Sequence, residues 1–225
     1  MKRFFLFLGS NVFLAGLAQA QVGVRLGTNL LAFATEASAG ARPATSSQLG
    51  YQVGVYYQQP LTNHFSLVPE IQFSREQTQV DFEEYRNAQN YARGTYHLNL
   101  SYVNVPVLLR FSLGRVHFEA GPEASLLVGG RGTGQTNALI GGDGTVARKI
   151  DQSAVYRFRR VNLGACVGIG VLLPAGLGLD VRAYQGLVSV NQATQSQAQD
   201  YIPYWGGDMY RQTLQASLTY QLTSR

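Results

Sequence analysis

Residues 213–222 read Thr-Leu-Gln-Ala-Ser-Leu-Thr-Tyr-Gln-Leu. Leu214, Ala216, Leu218, Tyr220 and Leu222 share one face of an extended chain, while Thr213, Gln215, Ser217, Thr219 and Gln221 share the other. A period of two is the signature of a β-strand. One face suits lipid and the other water. The same division recurs at Tyr51, Val53, Val55 and Tyr57, and at Phe65, Leu67, Ile71 and Phe73. It continues at Val103, Val105, Val107, Leu109 and Phe111, then at Val116, Phe118, Ala120, Ala124 and Leu126. Val161 to Ile169 and Leu177 to Ala183 repeat it, and Val22, Val24 and Leu26 open the series, which gives eight strands.

The joins alternate in length. Leu61 to His64, Gly114-Arg115 and Pro174-Ala175 are tight, whereas residues 31–49, 78–94, 129–155 and 186–209 are long. Bacterial outer-membrane barrels keep periplasmic turns short and extracellular loops long, and an even strand number returns both termini to the periplasm. A soluble sandwich or calycin-like barrel also alternates, but has no reason to gather every long loop at one end. The start agrees: Lys2 and Arg3 precede an apolar run from Phe4 to Leu17 that ends in Ala18-Gln19-Ala20. That is the pattern of a cleaved export signal. The expected organisation is a signal peptide over 1–20 and, over 21–225, one all-β domain: an eight-stranded antiparallel up-and-down transmembrane barrel in the bacterial outer membrane. Lipid of that membrane and the barrel-insertion machinery are then expected partners.

Removing Lys2 and Arg3 from the formal charge of +5 leaves +3, with both signs scattered along the chain. Nucleic-acid binding would need a clustered basic face, so none is expected. The single cysteine, Cys166, cannot form an internal disulfide. Three separated histidines and one cysteine match no zinc spacing; neither a metal nor another cofactor is expected. The charges inside the strand patterns mostly have inward parity: Arg25, Glu70, Arg110, Glu119, Glu123, Asp180 and Arg182. An eight-stranded barrel is just wide enough to be filled by side chains, so these groups are expected to pair across a plugged interior, as a structural network.

Aromatic residues mark strand ends at Tyr51 and Tyr57, Phe65 and Phe73, Tyr102 and Phe111, and Tyr210 and Tyr220. They suggest the two girdles of a transmembrane barrel. Pro69 and Pro106 lie inside strand patterns, where a missing N–H interrupts a ladder. Near Pro106 the apolar phase also slips, from Leu98, Leu100 and Tyr102 to Val103, Val105 and Val107, which suggests a bulge. Gly129-Gly130-Arg131-Gly132-Thr133-Gly134 lacks the Gly-Lys-Ser/Thr ending of a phosphate loop and reads as a surface loop. Tyr201, Tyr204, Trp205 and Tyr210 could contact an envelope protein or a glycan, or anchor the rim at lipid headgroups. His97 is the one histidine near an outer end. Ser101 follows on the same strand face, about 13 Å away, too far for a direct hydrogen bond.

The chain resembles the PorT-like outer-membrane β-barrel family of the Bacteroidetes over its mature length. Arg25, Gly27, Asn29 and Leu30 match that family's opening pattern; Phe65, Ser66, Leu67, Glu70 and Ile71 match a second segment. Leu100, Tyr102, Val103, Val105, Pro106, Val107 and Leu108 are similar to its middle signature. Gly121-Pro122, Leu126-Leu127, Gly164, Gly168, Gly170, Arg182-Ala183-Tyr184 and Gly186-Leu187 then follow in order. The chain departs from the pattern in closing on Thr223-Ser224-Arg225 instead of an aromatic residue, and in carrying Asn162 where an acid is common. The resemblance implies location and architecture more than activity. The expected role is non-enzymatic, in envelope structure, adhesion or assembly and secretion. The alternatives are a rim-active lipid hydrolase and a soluble periplasmic ligand-binding barrel.

Overall fold

The computed structural model describes residues 21–35, 44–87, 90–139, 145–191 and 208–222. The export signal lies outside them. Nine antiparallel strands occupy these segments: β1 (Gln21–Thr35), β2 (Ala44–Pro60), β3 (Phe65–Asn87), β4 (Asn90–Leu113), β5 (Val116–Leu139), β6 (Thr145–Ser153), β7 (Val161–Leu172), β8 (Leu177–Gly186) and β9 (Met209–Gln221). Eight of them close a ring in the order β1-β2-β3-β4-β5-β7-β8-β9, with β9 pairing back to β1. The ninth, β6, pairs only with the outer half of β5 among the described residues, from Arg131↔Ser153 to Leu139↔Thr145. Closure leaves the membrane ring no free edge, as a sheet in lipid requires. The tight turns share one end; Gly114 and Gly176 adopt positive φ (62° and 76°), and Ala175 lies between Pro174 and Gly176 at φ 61°. This is the periplasmic end of an outer-membrane barrel.

Through the membrane the alternation is regular. Val53, Val55, Ile71, Leu109, Leu163, Leu179 and Leu218 are exposed on the outer wall, and their sequence neighbours are buried inside. A solvent of hydrocarbon makes this the favourable arrangement, since the apolar side chains face acyl chains and the polar ones find partners within. No helix among the described residues is long and apolar enough to cross a membrane.

Beyond the membrane the strands continue, and their polarity reverses. The segments expected as loops over 78–94 and 129–155 are largely extensions of β3, β4 and β5, with β6 added. In β3 the outward row changes from Leu67, Ile71 and Phe73 to Arg75, Gln77, Gln79 and Asp81, while Val80 is fully buried within. In β4, Tyr96, Leu98, Leu100 and Tyr102 point inward along with Asn104, Pro106, Leu108 and Arg110. The apparent phase slip near Pro106 is therefore not a bulge in β4. Side-chain direction stays constant, and the surroundings invert. Tyr96, Leu98, Leu100 and Tyr102, together with Leu31, Leu127, Ile150, Phe158, Val190 and Met209, form an apolar cap at the outer mouth of the ring. Tyr102 belongs to this buried cap, not to the girdle.

The bulge lies in the partner strand. Tyr102 pairs with Leu127 but Ser101 pairs with Gly129, so Val128 is the extra residue in β5. It switches the inward phase of β5 from odd positions (Glu123, Ser125, Leu127) to even ones (Gly132, Thr136). Without it Arg131 would face the apolar cap. Gly129 to Gly134 are thus part of β5, not a loop. Pro69 causes no shift of register: the β3–β4 pairing is the same on both sides of it, Gln72↔Asn104 and Pro69↔Val107.

Candidate functional site

The most chemically dense region is the interior of the ring. Its lower cluster joins β1, β3, β4, β5 and β8. Glu119 accepts from Arg110 Nε at 2.7 Å and from Arg182 Nε at 2.7 Å, one on each carboxylate oxygen. Glu70 accepts from Arg182 Nη1 at 2.8 Å and lies 3.0 Å from Arg25 Nε, the latter an ion pair without hydrogen-bond alignment. Asp180 accepts from Thr219 Oγ1 at 3.1 Å, lies 2.7 Å from His117 Nε2 and 3.7 Å from Arg25 Nη1. Three guanidinium groups thus meet three carboxylates, with every member at most 4 % exposed. Partial cancellation of charge is what makes such burial tolerable; it gives little net stability, but each member left alone is costly.

Small residues on β7 make the network possible. Glu119 and Arg182 flank Gly168 on either side, and His117 and Asp180 flank Gly170 in the same way. A Cβ on Gly170 would stand 2.4 Å from His117 Nε2 and from Asp180 Oδ1, and one on Gly168 would stand 2.7 Å from Arg182 Cγ. The glycines leave the lateral space through which β5 and β8 side chains touch.

A second cluster sits above, around Arg211 of β9. Its Nε donates to Glu76 Oε2 at 2.8 Å, its Nη2 reaches the other oxygen of Glu76, and its Nη1 donates to Ser125 Oγ at 2.9 Å. The guanidinium lies 4.2 Å from the Tyr102 ring centroid and 4.7 Å from that of Tyr184, so cation–π contacts cover both faces. Glu123 stands 4.0 Å away and accepts from Ser125 Oγ at 3.2 Å. Arg211 and Glu76 escape a reading that ends the strand patterns at Thr213 and Ser74. Carrying the inward parity one step further in each strand finds both.

All seven acids and bases assigned inward parity, Arg25, Glu70, Arg110, Glu119, Glu123, Asp180 and Arg182, are buried in this interior. Of the aromatic loop candidates, Tyr201, Tyr204 and Trp205 lie outside the described residues; Tyr210 is half-buried in β9. His97 is on the outer wall above the membrane, where Nδ1 lies 3.1 Å from Gln48 Nε2 and 3.3 Å from Gln48 Oε1. Two further features lie at the ends. A cavity of about 430 Å³ opens at the periplasmic mouth between Gln21, Gln58, His64, Ser66 and Ser112. On the outer extension Arg131 Nε donates to Asp151 at 2.7 Å, and that hydrogen bond holds the Asp151 carboxyl below the usual carboxylate range.

Chemically, the buried charges of the interior are arranged mostly as pairs of opposite sign. His117, Glu119 and Asp180 do place potential ligand atoms within 4.8 Å of one another. Yet both carboxylates already face guanidinium groups, so a cation bound there would have to displace an arginine. Above the charged clusters, the inward side chains at the outer end of the ring are apolar.

The chain belongs to the family described as outer membrane protein beta-barrel domain, whose model matches residues 16–192. Among solved structures it is similar to surface protein A of Neisseria, with 13 % identity, a TM-score of 0.45, and coverage of 89 % of this chain and 97 % of that one. It is also similar to Ail, the attachment invasion locus protein of Yersinia pestis, in complex with the heparin analogue sucrose octasulfate (12 %, TM-score 0.43, 90 % and 99 % covered). A third is the outer membrane protein OprG of Pseudomonas aeruginosa (10 %, TM-score 0.42, 91 % and 97 % covered). No curated protein matches the chain. Family and fold place the protein in the bacterial outer membrane, in contact with its lipid.

Proposed function

We propose that this outer-membrane barrel is not an enzyme and not a pore, and that it acts through its outer surface in envelope structure, adhesion or assembly. The observation that carries the reading is the filled lumen: two ion-paired clusters stacked beneath an apolar cap. Strands that run beyond the membrane as β3, β4, β5 and β6 give the protein a rigid projection on the cell surface, a form suited to contact with an envelope protein or a glycan. Within its family we assign the chain to the PorT-like members, on the ordered motifs from Arg25 to Leu187; a part in a secretion apparatus does not follow from that. The lipid-hydrolase alternative has less support, because the hydrogen-bond partner of His97 is Gln48 rather than an acid or a serine.

In planar bilayers the purified protein is expected to give negligible ion conductance. Steady, large channels would overturn the closed interior. Replacing His97 with Ala is expected to leave the lipid profile of the cell envelope unchanged, whereas a lost lipid product would restore the hydrolase reading.

A further inference from the structure

Arg157, Arg159 and Arg160 fall within four residues just before β7. Arg157 packs over the Tyr156 ring at 5.6 Å. Arg159 and Arg160 are exposed, and among the described residues neither side chain has a hydrogen bond or an ion pair. Their backbone is nonetheless fixed on both sides: Arg159 N donates to Val190 O at 2.8 Å, and Arg160 O accepts from Leu127 N at 2.7 Å. These are cations on a held segment.

What lies beneath them is apolar. Arg159 lies two residues before Val161, the first residue of β7, and so no more than about 7 Å beyond it at the outer end of the strand. Val161 pairs with Leu126, and Leu187 N bonds Leu163 O at 2.9 Å, so these side chains are neighbours across three strands. Leu126, Val128, Val161, Leu163 and Leu187 are between 45 % and 68 % exposed. Two unpaired guanidinium groups above an apolar wall have the vertical order of a membrane lipid, with anionic phosphate above acyl chain. Guanidinium is also the side chain whose fork of donors fits phosphate oxygens.

We propose that Arg159 and Arg160 form a binding site for the phosphate of an outer-leaflet lipid, whose acyl chains lie on the wall below. A free phosphate would use the cations and leave the apolar wall without a role, and an acidic protein would not be drawn to hydrocarbon depth. A bound lipid of this kind joins the barrel to the outer leaflet on the β5–β7–β8 side.

The test uses the full barrel in nanodiscs of phosphatidylcholine containing either diphosphoryl lipid A or the same lipid stripped of phosphate, with bound lipid counted by native mass spectrometry. Retention of the phosphorylated form over the stripped form is expected, and this comparison needs no variant. The double replacement Arg159→Ala and Arg160→Ala is expected to weaken retention by roughly thirty-fold, the combined effect of two basic residues at a membrane surface. Arg159→Lys with Arg160→Lys should keep much of it. Arg131→Ala, which removes a charge already paired with Asp151, should change nothing. Equal retention of the two lipid forms, an equal loss in Arg131→Ala, or full displacement by inorganic phosphate would each overturn the proposal.

Discussion

Arg211 has no water to solvate it: its side chain is fully buried, with Glu76 on its edge and two tyrosine rings on its faces. Removing one partner of such a pair strands the other, at a typical cost of about 3–5 kcal/mol. Arg211→Met should therefore destabilise the barrel by that order in urea titrations in detergent. Arg211→Met combined with Glu76→Met should recover part of the loss, because no lone charge remains. If the double variant were as unstable as the sum of the singles, the cost would lie in packing against Tyr102 and Tyr184 instead. At this scale the sequence was readable wherever a charge sat inside an evident strand pattern. Arg25, Glu70 and Asp180 were visible for that reason, whereas Arg211 and Glu76 lay just past boundaries drawn where the outward apolar residues stop. The missing cue was physical: the outer wall becomes polar at the membrane surface, so the end of the apolar row marks the end of lipid, not of the strand.

Among the elements, β4 shows the consequence most plainly. Its even-numbered side chains face inward from Tyr96 to Arg110, yet they are apolar at the outer end and mixed, Asn104 and Arg110 with Pro106 and Leu108, toward the periplasm. Alternation alone gives the two faces of such a strand but not which face is wet, and that ambiguity suggested a bulge near Pro106 which is absent. The switch of phase occurs across the hydrogen bonds, at Val128 of β5, where a pair of glycines follows. Leu100 is fully buried in the cap. Leu100→Asn should cost about 1–3 kcal/mol for an amide without a partner, read as a lower urea midpoint. Asn99→Leu, on the opposite face, should leave that midpoint nearly unchanged. Equal effects from the two would mean that the extension has no interior of its own.

For the whole molecule, orientation and closure make a further prediction. The short turns face the periplasm, and the extensions of β3, β4 and β5 with β6 stand outside the cell. Trypsin added to intact cells should cut in that projection, at sites such as Lys149 and Arg131, and leave the membrane ring assembled and heat-modifiable on gels. Cuts confined to permeabilised cells would reverse the orientation. The ring itself was legible from the sequence because lipid enforces one rule over all eight strands at once, whereas the ninth strand and the cap obey the opposite rule in short stretches.

The reversal of polarity along the strands also bears on how the protein stays where it is put. Tyr96, Leu98, Ile150 and Phe158 pack together beyond the outer end of the apolar wall. Once they have packed, retreat would require pulling that cluster apart and dragging Arg75 and Asp81 back through oil. The outer cluster thereby acts as a latch that holds the ring in place across the bilayer.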